Sequence, residues 1–268
     1  VPALLRRLAR EGTWTLGLLA GASLLVFLIV RAAPGDAASA LGLEPTGPAA
    51  RTSVIVQYAA WVGAAVRGDV GTSLRTGRPV SEEIRRVGPN TLALSLGALA
   101  VTVAVAVPIG VAGALRRHSP LAGATTIAAY ALSALPAFFV GYAVIYFFTR
   151  RLEIFPLAFG GDGRVPWLAF VLPMAVLGVA NGGVGEVVRH VRAALERVLA
   201  EEYVRTARAK GAAVWRHAAA EGLLLPVTAA LAAKVPFVLG GAVVVEQVFN
   251  WPGLGRLAWQ AALDRDYP

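Results

Sequence analysis

The sequence contains no cysteine, which excludes disulfides, thiolate metal ligation and cysteine nucleophiles. Charge is scarce: 15% of the 268 residues are Asp, Glu, Lys or Arg, against about 25% in an ordinary soluble domain. With 57% hydrophobic residues, such a chain lacks the polar residues to cover a soluble surface. It is equally unlike a disordered segment, which combines low hydrophobicity with high charge. The three histidines, His118, His190 and His217, lie far apart in loops without the spacing of a metal site. No carboxylate pair stands inside an apolar run, so hydrolysis within a membrane lacks its acid and base. No glycine-rich loop ends in Lys-Ser or Lys-Thr, so no ATP cradle of the Walker type is present. Catalytic residues: none; metal ligands: none.

What the sequence does have is long apolar runs. Thr13–Val30, Thr91–Leu115, Leu121–Thr149, Val165–Gly185 and Gly222–Val245 carry no charge except Lys234. Each is close to or above the roughly 20 residues that cross about 30 Å of hydrocarbon as a helix. Only helices and closed barrels satisfy the backbone in lipid, and continuous runs of this length are helical. The expected fold is all-α: a polytopic helical membrane protein, one transmembrane domain over residues 1–268 set in the lipid bilayer. Pro108, Pro136, Pro173 and Pro236 fall inside the runs and predict kinks. The first run has no small-residue cleavage site after it and reads as a span.

Between the runs lie a long loop (31–90), a short turn (116–120), a middle loop (150–164), a polar loop (186–221) and a tail (246–268). The long loop contains Val54–Val66, apolar but too short to span, which predicts a helix on the membrane surface or packed on the spans. The net charge of +9 comes from cations at the ends of apolar runs, where membrane proteins carry them, not from a nucleic-acid-binding face. With the N-terminus cytoplasmic, the inside segments carry as many Lys and Arg as the outside ones on about half the length. That orientation puts the long loop outside and the polar loop inside.

The polar loop is the most informative segment. It reads Glu202-Tyr203-Val204-Arg205-Thr206-Ala207-Arg208-Ala209-Lys210-Gly211, with His217 and then Leu225-Pro226 downstream. Helix formers run to Gly211, which suits a C-terminal cap. A second segment then leads to the Leu-Pro expected to open the fifth span. A helix–turn–helix bearing small residues and cations suits insertion into a groove on another protein.

These residues resemble the coupling loop of ABC importer permeases of the dipeptide/oligopeptide/nickel branch. Other stretches match that branch in order. Leu25-Val26-Phe27-Leu28 leads into Ala33-Pro34-Gly35-Asp36. Gln57-Tyr58, Trp61, Gly68-Asp69-x-Gly71-x-Ser73 and Thr76-Gly77-x-Pro79-Val80 follow, then Ser133-x-x-Pro136-x-Phe138. Last come Gly240-Gly241-Ala242-Val243-Val244-Val245-Glu246 and Phe249-x-Trp251-Pro252-Gly253-Leu254-Gly255. The chain looks like the first of the two permease subunits, the one with the long outer loop.

The resemblance implies a subunit of an ATP-driven importer in a bacterial or archaeal plasma (inner) membrane, carrying peptides or a nickel or other metal chelate. Its implied partners are a second homologous permease, two ATPase subunits and an extracytoplasmic substrate-binding protein. The chain itself is not an enzyme and holds no cofactor, since ATP and Mg belong to the ATPases. ATPase contact is implied for Glu202, Tyr203, Arg205, Thr206, Ala207, Arg208, Lys210, Gly211 and His217. The stretch from Gly211 to Pro226 is a few residues shorter than usual, and Lys234 stands where an uncharged polar residue is more common. The family continues beyond Asp266-Tyr267-Pro268 into a sixth span, expected beyond Pro268.

Four residues remain open. A charge inside a span faces a cavity or a partner, so Lys234 is expected to line the translocation path. Asn181 either lines the path or bonds a neighbouring helix. Asp69 and Ser73 either touch the binding protein or build a turn. Trp251-Pro252-Gly253 reads as a membrane-interface anchor with a turn. The alternative function is a self-sufficient secondary transporter using Lys234 as its coupling charge. That reading needs repeats and broken helix pairs, which the sequence does not display.

Overall fold

The computed structural model describes residues 2–32, 53–116, 119–152, 168–180, 182–211 and 214–266. Among them the regular structure is helical, with one isolated bridge between Thr72 and Pro79. The chain groups into two compact units, Val1–Arg86 with Gln260–Pro268, and Val87–Trp259.

In the first unit, α1 (Pro2–Ala32) runs through the first apolar stretch and its basic flank without a break. Trp14, Leu18, Leu25 and Ile29 stand exposed along it, the surface that a bilayer solvates. The short apolar segment forms α2 (Val54–Val66), and it packs on α1. The Tyr58 hydroxyl shares a 2.6 Å hydrogen bond with Ser23 and donates to the Ala20 carbonyl at 3.2 Å. The Phe27, Tyr58 and Trp61 rings cluster at 5.5–6.2 Å.

The second unit is a bundle of small-residue helices. It comprises α3 (Val80–Leu115, counted here from Val87), α4 (Pro120–Ser133), α5 (Ala137–Ile145), α6 (Leu168–Val179), α7 (Gly183–Leu199), α8 (Glu202–Ala209), α9 (Val214–Val248) and α10 (Leu254–Asp264, counted here to Trp259). One core cluster joins Leu94, Ala98, Val176, Leu177, Val238, Val245, Phe249 and Trp251; a second joins Ala106, Ala129, Val184, Val187, Val188, Val191 and Ala230. Alanine, glycine and valine dominate because apolar burial gives little net drive in lipid, so close backbone approach must supply the contact energy. A Cβ on Gly110 would stand 2.8 Å from Val191 Cβ.

Three expected boundaries move. The third run is two helices, α4 and α5, bent by 99° at Ala134–Pro136. Pro136 has no N–H to continue the ladder, and the run closes in wider π-type turns over Tyr146–Arg151. The fourth run is also bent, by 58°, between α6 and α7. The polar loop therefore does not begin at Glu186: residues 186–199 are helical, with Val187, Val188, Val191 and Leu195 fully buried. The charges at Arg189, Arg192 and Glu196 hid this face, because its apolar residues recur at helical spacing rather than in a run. Finally, the helix that carries the fifth span starts earlier than expected: α9 runs from Val214 to Val248, while its apolar span, Val227–Val248, begins just after Leu225-Pro226. Among the described residues three helices are long and apolar enough to cross a membrane, and up to five crossings result if each bent pair is one span. The upper figure equals the five expected spans.

Candidate functional site: a coupling helix and a buried ion pair

The segment expected to couple to a partner forms its own short element. After α7 ends at Leu199, α8 takes up eight residues and packs against α9 and α7. Val204 is its buried anchor, at 1% exposure. Glu202, Tyr203, Arg205, Thr206, Lys210 and Gly211 are exposed, and Ala207 is half-buried. Arg205 pairs with Glu202 at 3.0 Å, and the Thr206 hydroxyl donates to the Glu202 carbonyl at 3.1 Å. Gly211 closes the element with φ of +71°, and a Cβ there would meet nothing within 4 Å. Glycine takes this left-handed conformation without steric cost. The side chains of Arg208 and His217 lie outside the described residues; the His217 backbone belongs to the start of α9.

Lys234 sits on α9 with only 6% of its surface exposed. Its ammonium forms an ion pair with Glu186 in the first turn of α7 and stands 5.1 Å from the Phe237 ring centroid, within cation–π range. The pair lies beside the bend between α6 and α7. There Gly182 has φ of +78° and donates its N–H to the Ser133 carbonyl at 2.7 Å. The Ser133 hydroxyl accepts from the Gly185 N–H at 2.7 Å, and the Thr102 hydroxyl donates to the Gly178 carbonyl at 2.6 Å. Ser133 thus ties the bend of one broken span to the bend of the other. A small pocket here is lined by Thr102, Leu177, Ala180, Gly183, Lys234, Phe237 and Val238. Asn181 lies outside the described residues. Glu186 carried no signal in the sequence, because its partner is on another helix and it fell at the edge of an expected loop.

In the first unit, Asp69 and Ser73 both build turns. Asp69 accepts the Gly71 N–H at 3.0 Å and stays exposed. Ser73 is buried; its hydroxyl donates to Asp266 at 2.5 Å and accepts the Thr76 N–H at 3.1 Å. Asp266 also accepts the Leu74 N–H at 2.7 Å, and Arg75 pairs with Asp264 at 3.1 Å.

A buried carboxylate stands at the end of α9. Glu246 is 0% exposed and accepts from the Thr91 hydroxyl at 2.7 Å and the Arg256 N–H at 2.8 Å. The Thr91 oxygen in turn accepts the Leu254 N–H at 2.7 Å. Trp251, expected as a membrane-interface anchor, is buried to 1% instead. Its indole donates to the Asn90 carbonyl at 3.1 Å, and Asn90 returns a bond to the Pro252 carbonyl at 2.7 Å. A Cβ on Gly255 would come 2.6 Å from Val243 Cα and 2.9 Å from the Glu246 carboxylate, so the turn closes only on glycine. Among the described residues no three His, Asp or Glu gather as metal ligands.

Residues 106–268, which include α8, the Lys234–Glu186 pair and Glu246, match the family described as binding-protein-dependent transport system inner membrane component. The chain is 36% identical to the oligopeptide transport system permease protein AppB of Bacillus subtilis (strain 168), over 97% of this chain and 88% of that protein. It is 36% identical to the glutathione transport system permease protein GsiC of Salmonella choleraesuis (strain SC-B67), over 92% and 83%. It is 33% identical to the probable peptide ABC transporter permease protein y4tP of Sinorhizobium fredii (strain NBRC 101917 / NGR234), over 99% and 88%. The chain belongs to the family of binding-protein-dependent transport system inner membrane components, as an ABC importer permease of peptide type.

Proposed function

We propose that this chain is the membrane-spanning subunit of an ATP-driven peptide importer, working with a second homologous permease, two ATPase subunits and an extracytoplasmic binding protein. The observation that carries the reading is α8: a short helix pinned by Val204, exposing cations and small residues and ending at Gly211 in open space. That shape fits a groove on a partner. The oligopeptide and glutathione names of the relatives favour a peptide cargo over the nickel chelate that the sequence also allowed. The relatives are permeases of multi-subunit systems, which favours this reading over a self-sufficient transporter.

In this reading the ATPases bind and hydrolyse ATP with Mg, and this chain performs no chemistry. Helix α8 is joined to α7 through Ala200-Glu201 and to α9 by a turn at Lys210–Gly211. A displacement of α8 by an ATPase that changes its spacing with nucleotide state would therefore move α7 and α9, the helices that carry Glu186 and Lys234. That is a rigid-body route to alternating access. The N-terminus and α8 face the cytoplasm in an inner membrane.

The test is the substitution Thr206→Cys, introduced into a chain with no native cysteine and co-expressed with the partner subunits. Crosslinking of the new thiol to an ATPase subunit is expected, together with ATP-dependent peptide uptake in proteoliposomes. Absence of both from the assembled complex would overturn the reading.

A further inference from the structure

We infer that Lys234 is a specificity-determining residue of the translocation path, receiving a carboxylate of the cargo, with Glu186 occupying its ammonium when no cargo is present. The inference rests on the proposed function and adds which chemical group of the cargo is recognised, and by which side chain.

Three observations carry it. First, Lys234 is the only cation within an apolar run, and it is more than nine-tenths buried. An ammonium at such a depth is retained only where it faces a partner or a wet cavity. Second, it lines a pocket whose other walls are Thr102, Leu177, Ala180, Gly183, Phe237 and Val238. Those walls are apolar or small, with one hydroxyl, so beside the Lys234–Glu186 pair they offer an entering molecule no other charge. The Thr102 hydroxyl is already given to the Gly178 carbonyl. Third, the carboxylate on Lys234 is asymmetric in its setting. The Glu186 side chain keeps 35% exposure while that of Lys234 keeps 8%. Glu186 is the less enclosed of the two and Lys234 is fixed among its neighbours, so the exchangeable member of the pair is the carboxylate.

The pair also stands where a moving permease changes shape. It bridges α7 and α9 beside the bend between α6 and α7. A carboxylate that enters from the pocket side satisfies the same ammonium and releases Glu186, so cargo can open the bridge without leaving a buried charge unpaired. Every unmodified peptide carries such a carboxylate at its C-terminus. The Phe237 ring, 5.1 Å from the ammonium, helps hold the cation in place during the exchange.

The experiment uses the whole importer, with its partner subunits, in proteoliposomes, and compares ATP-driven uptake of trialanine with that of its C-terminal amide. The binding protein has its own preference, so the readout is how the carboxylate-to-amide ratio changes when only this chain is altered. Lys234→Met is expected to lower the ratio about tenfold, the size of one charge-assisted hydrogen bond. Lys234→Arg, which keeps a cation, should hold it within about twofold of the wild-type ratio, less than the loss of one such bond.

The charge swap Lys234→Glu with Glu186→Lys rebuilds the ion pair with its polarity reversed. A purely structural pair would be rescued by it, with the wild-type ratio restored. A recognition role predicts that the ratio stays low. An unchanged ratio in Lys234→Met, or a restored ratio in the swap, overturns the inference. If the swap does not reach the membrane, the Met and Arg variants decide by the same criterion. A wild-type complex that accumulates neither peptide under ATP refutes the proposed function itself, a result distinct from an unchanged ratio in Lys234→Met.

Discussion

At the scale of single residues, the second unit depends on a few polar side chains that serve two elements at once. Ser133 is buried and bonds two N–H groups of the α6–α7 bend, one through its carbonyl and one through its hydroxyl. Ser133→Ala removes the hydroxyl and leaves the Gly185 N–H without that acceptor in a buried site. A loss of about 1–3 kcal/mol is expected, read as a lower thermal midpoint of the detergent-solubilised protein. An unchanged midpoint would show that the bend is held by packing alone. Gly255 makes the complementary case. Its missing side chain is what lets the turn after α9 approach Val243 and the Glu246 carboxylate. Gly255→Val should cost about 1–3 kcal/mol or more by overpacking, and its unfolding curve checks this. Wild-type stability in that variant would mean that the turn relaxes freely, contrary to its tight bonding to Thr91 and Glu246.

At the scale of elements, α8 is the part whose surroundings say most. Val204 anchors it, and the exposed Arg205 and Glu202 pair with each other. An exposed ion pair of that kind adds little stability. Gly211→Trp introduces two changes, a side chain in space that this chain leaves empty and a left-handed φ on a bulky residue, worth about 1–2 kcal/mol of local strain. Gly211→Asn introduces the milder version, since Asn tolerates that conformation. The expected pair of outcomes is abolished peptide uptake by the Trp variant at normal membrane abundance, and largely retained uptake by the Asn variant. Equal uptake by both would remove the case for a close-fitting partner at this turn.

At the scale of the whole molecule, the orientation proposed here is open to direct measurement. A cysteine placed at Ser53, just before α2, should react with a membrane-impermeant maleimide in intact cells. A cysteine placed at Thr206 in α8 should react only after permeabilisation. The opposite pattern would invert the topology and with it the assignment of α8 to the ATPases. The chain purified without partners should hydrolyse no ATP, as it lacks a phosphate-cradling loop; robust hydrolysis by a preparation proven free of ATPase subunits would contradict the division of labour proposed above.

The class of the protein and its apolar runs were legible in the sequence itself, because an apolar run near 20 residues satisfies its backbone in lipid as a helix. The short helix α8 was legible for a similar reason: its helix formers, its cations and the glycine at its end are all local features. What only the tertiary structure decided involves partners distant in the chain. The buried face of 186–199 was hidden because valines at helical spacing between charges look like a polar segment until a neighbouring helix covers them. The bend in the third run was signalled locally by Pro136, whereas the bonds from Ser133 to Gly182 and Gly185 at the bend of the fourth run join two spans. The partner of Lys234 could not be assigned, since nothing local marks Glu186 as its counter-ion. The burial of Trp251 and Glu246 follows from Asn90, Thr91 and the glycines of the following turn closing on one another. Such hydrogen bonds are satisfied only when all their elements are in place, and no stretch of sequence taken alone contains that information.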